Sequence, residues 1–241
     1  MDVATSNKTI ITIFKNIDEE GLSVTELQLS DSDILICNNL NNKPKADFLA
    51  GRISIRESIK QYFLLKNKTF NLSNLEISYD LMRKPFVKGE EGTTISISHS
   101  SGWGAGIISS YTDIGIDIEK IKKRDHSIID YILSDKEQRL FVNNMSVKMI
   151  TVLWTMKESI MKACGKGLFH PHFIALNNFL LYDNGYIANF IDQDKKKWQV
   201  RTVLIDDYVV SVAYVKENYE SIILSWNIKI GLQTTKKLPV S

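Results

Sequence analysis

Short β-branched runs alternate along this chain with stretches of helical period, and that alternation restricts it to α/β or α+β architectures. Runs at 9–14, 95–98, 106–110, 114–118, 199–204 and 209–215 read as strands. Between about 44 and 63, Phe48, Leu49, Ile53, Ile55, Ile59 and Phe63 recur with helical spacing and predict an amphipathic helix. A second helix is expected from Ser134, because Ser134-Asp135-Lys136-Glu137 has capping-box form. A third, over 147–164, should bury Leu153, Met156, Ile160 and Ala163 and stop at Gly165. With 241 residues and 44% hydrophobic content, the chain can support one large core or two small ones. Ile55-Arg56-Glu57-Ser58-Ile59 is echoed by Met156-Lys157-Glu158-Ser159-Ile160, which opens the possibility of two related halves. The joint is expected near 110–115, giving subdomains 1–112 and 113–241, with a frayed tail after Gly231.

Charge and cysteine content narrow the function classes. Thirty basic and 28 acidic residues leave a formal charge of +2, too balanced for a nucleic-acid footprint over the whole surface, so any basic site must be local. Cys37 and Cys164 stand apart, without a disulfide framework or a C-x-x-C pair, which fits a reducing compartment. The start of the chain has no positive segment followed by an apolar run, and no stretch has the length of a membrane span. The expectation is a soluble, cytoplasmic protein.

Two motifs place acids and bases in patterns suited to anion and cation chemistry. In Gly115-Ile116-Asp117-Ile118-Glu119-Lys120, strand alternation puts Asp117 and Glu119 on one face. Their mutual repulsion would be relieved by a hard cation such as Mg²⁺, although two solvated acids on a strand edge fit the same pattern. In Trp154-Thr155-Met156-Lys157-Glu158-Ser159-Ile160-Met161-Lys162, Glu158 and Lys162 lie one turn apart, as in many surface ion pairs. Joined to Asp117 and Glu119, Glu158 would complete a three-carboxylate cation site. Lys157 and Lys162 would then neutralise a polyphosphate. Ser96-Ile97-Ser98-His99-Ser100 ends a strand ahead of Gly102-Trp103-Gly104, where hydroxyls and an imidazole could hold a phosphate or merely cap backbone groups. Adjacent strand residues face opposite ways, which disfavours a Ser-His nucleophile pair. Arg83-Lys84-Pro85 marks a basic turn, and His170-Pro171-His172 lacks the partners of a metal site.

In this order, Arg83-Lys84-Pro85, Ile97-Ser98-His99-Ser100, Gly115-Ile116-Asp117-Ile118-Glu119, Trp154-x-x-Lys157-Glu158-Ser159-x-x-Lys162 and Gly165-Lys166-Gly167-Leu168 resemble the motifs of the Sfp-type 4′-phosphopantetheinyl transferases. The segment from Lys43 to Arg52 resembles the basic stretch of the siderophore-associated, enterobactin synthetase component D-like branch. The resemblance implies the 4′-phosphopantetheinyl transferase fold, an α/β (α+β) arrangement of two similar subdomains related by a pseudo-twofold axis, with coenzyme A between them. It implies Mg²⁺ on Asp117, Glu119 and Glu158, with Lys162 on the pyrophosphate, Ser98 and His99 at the 3′-phosphate and Lys84 beside the adenine. The expected reaction moves phosphopantetheine from coenzyme A to a serine of an apo acyl- or peptidyl-carrier protein and releases 3′,5′-ADP. Asp117, Glu158 and Lys162 would carry the chemistry, the base being Glu158 or a water it orients. The branch resemblance tilts the pathway toward nonribosomal-peptide and siderophore synthesis, and joined halves make a monomer the simpler expectation.

The branch usually has a denser basic run where this chain has Lys43-Pro44-Lys45. Pro44 is expected to start the helix. Lys45 and Arg52, two turns apart on one face, are then expected to point toward the coenzyme A phosphates. Two rival functions share part of these features: a metal-dependent nuclease or phosphodiesterase, and a carrier-protein-binding module without catalysis.

Overall fold

A computed structural model describes residues 8–15, 29–68, 75–110, 113–125, 127–143, 145–165, 171–215, 223–230 and 234–237. The chain divides into two compact units, residues 1–112 with 221–241, and residues 113–220. Each is an α+β unit.

The first unit contains β1 (Lys8–Lys15), α1 (Asp31–Asn38), α2 (Asn42–Leu65), β2 (Ile77–Tyr79), β3 (Pro85–Val87), β4 (Thr94–Ser100) and β5 (Trp103–Ser109). After the second unit, the chain returns to it with β11 (Ile223–Ile230) and β12 (Thr234–Lys237). Its sheet runs β12-β11-β1-β5-β4, parallel only between β1 and β11. The division that assigned 113–241 to one subdomain is therefore corrected at its end: residues 223–230 add a strand beside β1, and part of the tail expected to fray is a strand as well. Such a long-range parallel pairing has no local signal in sequence.

α2 lies across β5, β1 and β4 and buries Ile55, Ile59, Tyr62 and Phe63 against Ile10, Ile95 and Ile108. It begins at Asn42, two residues before Pro44, which still occupies the first turn, where its missing amide costs no helical hydrogen bond. Helix and sheet approach so closely that a Cβ on Gly106 would sit 2.5 Å from Ile55 Cα, and Ser58 Oγ donates to the Gly106 carbonyl at 3.0 Å.

The second unit comprises β6 (Ile114–Lys120), α3 (Ser127–Ile132), α4 (Asp135–Phe141), α5 (Val147–Cys164), β7 (Ala175–Tyr182), β8 (Gly185–Ile191), β9 (Lys197–Ile205) and β10 (Tyr208–Val215). Its sheet is antiparallel throughout, in the order β6-β10-β9-β8-β7. α5 packs on β6, β10 and β9, and Leu153, Met156, Ile160 and Ala163 are all buried as their spacing predicts. Ser146 caps its start and Gly165 ends it. The capping box read at Ser134 is present, with the Ser134 hydroxyl and the Glu137 carboxylate each satisfying the other's backbone amide. Among the described residues, no helix is long and apolar enough to cross a membrane.

Because Gly106 meets backbone rather than a yielding side chain, Gly106→Ala should force α2 off the sheet. The expected loss is at least about 1–3 kcal/mol, the usual cost of overpacking a core, read as a lower urea midpoint with an unchanged slope.

Candidate functional site

One close approach builds the site. A Cβ on Gly115 would lie 2.1 Å from the Ser159 carbonyl oxygen and 2.6 Å from Ala163 N, so only glycine lets β6 run directly under α5. Ile114, Ile116 and Ile118 are fully buried and anchor the strand. Two and four residues beyond Gly115, on the same pleat face, come Asp117 and Glu119. On α5, Glu158 and Lys162 are one turn apart around the Ser159 contact.

The carboxylates are partly neutralised from within. Lys162 Nζ donates to Asp117 Oδ1 at 2.7 Å, and Arg124 Nη2 lies 2.8 Å from Glu119 Oε2. Asp117 is only 4% exposed. The Glu158 carboxyl is pushed up to about 7, first by burial, then by the negative charge of Asp117, with Lys162 opposing the shift and Glu119 adding to it. Three acids thus share one field. Among the described residues, no group of three or more His, Cys, Asp or Glu side chains is drawn together as a ready-made metal site. The donor chemistry nevertheless fits a hard divalent cation: all three candidates offer carboxylate oxygens, and the ionisation of Glu158 is opposed first by burial and then by the negative charge of Asp117, which a cation would offset.

The other predicted residues lie in the first unit. Ser98 is buried on β4, whereas His99 is exposed and its ring edge would stand 3.4 Å from a Cβ on Gly51 of α2. Lys84 follows Arg83, which has φ 63°, in the turn between β2 and β3, where Asp80 Oδ1 accepts from the amides of Met82 and Lys84. Lys45 is half-buried near the start of α2. Arg52, however, is 2% exposed, with Nε 2.7 Å from Asp33 Oδ1 and its guanidinium over the rings of Phe48 and Tyr79. The structure commits that guanidinium to a buried acid on α1.

The family model described as the 4′-phosphopantetheinyl transferase superfamily matches residues 113–213, the stretch that carries Asp117, Glu119, Glu158 and Lys162. The holo-[acyl-carrier-protein] synthase of Mycoplasma capricolum is 33% identical over 87 residues, which span 35% of this chain and 76% of that protein. This chain belongs to the 4′-phosphopantetheinyl transferase superfamily. The 4′-phosphopantetheinyl transferase gsp of Aneurinibacillus migulanus is 30% identical over 161 residues, 66% of this chain and 63% of that protein. The match therefore spans less than two thirds of that relative's length. Sfp of Bacillus subtilis is 28% identical over 170 residues, 66% of this chain and 68% of that protein.

Within this family member, one expectation is corrected outright. Lys157, expected to neutralise a polyphosphate, is 0% exposed; Nζ donates to the Ile132 carbonyl at 2.6 Å and to Glu137 Oε2 at 2.8 Å. Burial lowers its pKa, with the Glu137 charge opposing. Glu137 also accepts from Ser134 N and Oγ and, through Oε1, from Leu176 N. One ion pair thereby ties α3, α4, α5 and β7 together and holds the helix that carries Glu158. Periodicity could have exposed the error, because Lys157 follows Met156 and lies one turn from Leu153 and Ile160 on the apolar side of α5. Sequence reasoning also missed Arg124, which belongs to no motif. Lys166, Gly167, Leu168 and His170 fall outside the described residues, as does the side chain of His172.

Two measurements check this account. Lys157→Ala would strand a buried carboxylate and should cost about 3–5 kcal/mol in denaturant titration. For Glu158, whose ordinary value is 4.5, the folded chain holds more protons than the unfolded chain between pH 4.5 and about 7, so stability falls as pH rises through that window. Melting curves of the metal-free protein should show this decline, and Glu158→Gln should flatten it and melt higher than wild type at pH 8.

Proposed function

We propose that the chain is a Mg²⁺-dependent enzyme that transfers 4′-phosphopantetheine from coenzyme A to a serine of an apo carrier protein and releases 3′,5′-ADP. The observation that carries this reading is the convergence of Asp117, Glu119, Glu158 and Lys162 where β6 passes under α5, inside the segment that matches the family. Relatives named 4′-phosphopantetheinyl transferase support the transferred group, and one named holo-[acyl-carrier-protein] synthase supports a carrier-protein acceptor.

Asp117, Glu119 and Glu158 would hold the Mg²⁺, which when bound supplies charge stabilisation to the pyrophosphate oxygens. Glu158, or a water that it orients, would take the proton of the attacking serine. The serine Oγ forms a bond to the β-phosphorus as the bond from that phosphorus to the departing 3′,5′-ADP breaks. Lys162 Nζ, now on Asp117, stands ready to stabilise the charge that develops on the leaving group. For the adenosine end, we assign Ser98 and His99 to the 3′-phosphate and Lys84 to the adenine. Lys45 is a better phosphate ligand than Arg52, because Arg52 would have to give up Asp33. The resemblance of the segment from Lys43 to Arg52 to the siderophore-associated branch tilts the proposed acceptors toward peptidyl carriers of siderophore-type synthesis.

Incubation with coenzyme A, Mg²⁺ and either an acyl- or a peptidyl-carrier protein should add the mass of one phosphopantetheine arm to the carrier. EDTA should abolish the addition. Asp117→Ala, Glu119→Ala and Glu158→Gln should each reduce it by at least roughly a hundredfold, the usual scale for removing a group that acts in the transition state, while the proteins still melt cooperatively. An unmodified carrier with wild-type enzyme, or substantial transfer by Glu158→Gln, would overturn the reading.

A further inference from the structure

Arg124 sits beside the carboxylates of the candidate site. Its guanidinium lies over the Trp154 ring, 5.4 Å from the centroid, and Trp154 precedes Glu158 by one turn of α5. Nη2 is within 2.8 Å of Glu119 Oε2, and the side chain is 16% exposed. Yet Nε and Nη2 are buried donors with no aligned hydrogen-bond acceptor among the described residues. The short contact is an ion pair with its N–H directed off the oxygen. A guanidinium placed only to neutralise Glu119 would gain most from two parallel hydrogen bonds to that carboxylate. Here the fork is held by stacking on an aromatic face and keeps donors in reserve. Removing buried donors from water without an acceptor is costly, which favours an acceptor beyond those the described residues supply.

We propose that Arg124 is an anion-binding residue of this site, which serves as counter-ion of Glu119 in the metal-free protein and donates to a phosphate oxygen of a diphosphate ligand once Glu119 ligates a divalent cation. Identification of that diphosphate with the one in coenzyme A rests on the proposed function. The planar fork suits a phosphate better than an ammonium does, and the Trp154 stack prepays the ordering of a long side chain. Lys162 and Arg124 would thus have parallel parts, each paired with one carboxylate at rest and each turned to the anion when the cluster is otherwise neutralised.

The test is calorimetric and needs no turnover. Mg²⁺ alone, and then coenzyme A with Mg²⁺ present and no carrier protein, are titrated into wild type, Arg124→Ala and Arg124→Lys. In Arg124→Ala the Mg²⁺ affinity should rise several-fold, because a competing cation is gone, while coenzyme A affinity should fall by about tenfold, as for loss of a charged hydrogen bond. Arg124→Lys should restore the wild-type Mg²⁺ affinity without restoring that for coenzyme A. The opposite signs separate an anion-binding role from structural support, which would weaken both together. Parallel weakening in both variants, or unchanged coenzyme A affinity in Arg124→Ala, would overturn the proposal, as would failure of the wild type to bind coenzyme A. A wild type that binds coenzyme A but transfers nothing to carrier protein would instead overturn the proposed function and leave the role of Arg124 standing.

Discussion

The contact of Gly115 with the backbone of α5 is the constraint on which the candidate site depends. A side chain there would overlap the Ser159 carbonyl, so the strand can pass under the helix only at a residue without a Cβ. That approach brings the acidic face of β6 within reach of Glu158 and Lys162, and rigid elements on both sides hold the separation. Burial, and after it the charge of Asp117, makes Glu158 reluctant to ionise, and the fold bears that cost because Ile114, Ile116 and Ile118 anchor the strand in the core.

Two lysines of one helix have opposite parts, and solvent access separates them. Lys157 is wholly buried and its ammonium is satisfied by Ile132 and Glu137, which makes it a strut between α3, α4 and α5. Lys162 is 30% exposed and holds a single carboxylate of the cluster, so it can exchange that partner for a ligand at much lower desolvation cost. The first unit repeats the strut in another form: Arg56 is 4% exposed, lies 3.9 Å from Asp33 and donates to the Leu75 carbonyl at 3.2 Å. Arg56 and Lys157 occupy the same place in the echoed pentapeptides, followed two and three residues later by a buried serine and a buried isoleucine. The repeated pattern therefore encodes a shared packing solution, a long helix with a buried base set across a five-stranded sheet.

The metal-free cluster carries its own cations. Lys162 and Arg124 offset Asp117 and Glu119, while the ionisation of Glu158 is opposed first by its burial and then by the charge of Asp117. A site balanced in this way has little preference for being empty of charge, and a cation or an anion arriving alone must compete with an internal ion pair. Under the proposed function, ligands of both signs arriving together would satisfy these groups at once, an electrostatic reason for the proposed metal and diphosphate to bind cooperatively.

Local pattern was enough to determine the two long helices, the capping box at Ser134, the end of α5 at Gly165 and the central strands of both sheets, because periodicity and caps are properties of neighbouring residues. The spacing of Asp117, Glu119, Glu158 and Lys162 was equally legible, since pleat and helix repeat alone put each pair on one face. The short and exposed elements were not: β7 is an edge strand with most side chains in solvent and two adjacent asparagines, so it shows no alternation. The return of β11 to β1 was decided only in three dimensions, as was the pairing of Arg52 with Asp33 and of Lys157 with Glu137. A basic residue reads the same in sequence whether it faces water, a phosphate or a buried acid. What distinguishes these cases is desolvation and the partner that offsets it, and both are set by contacts between residues far apart in the chain.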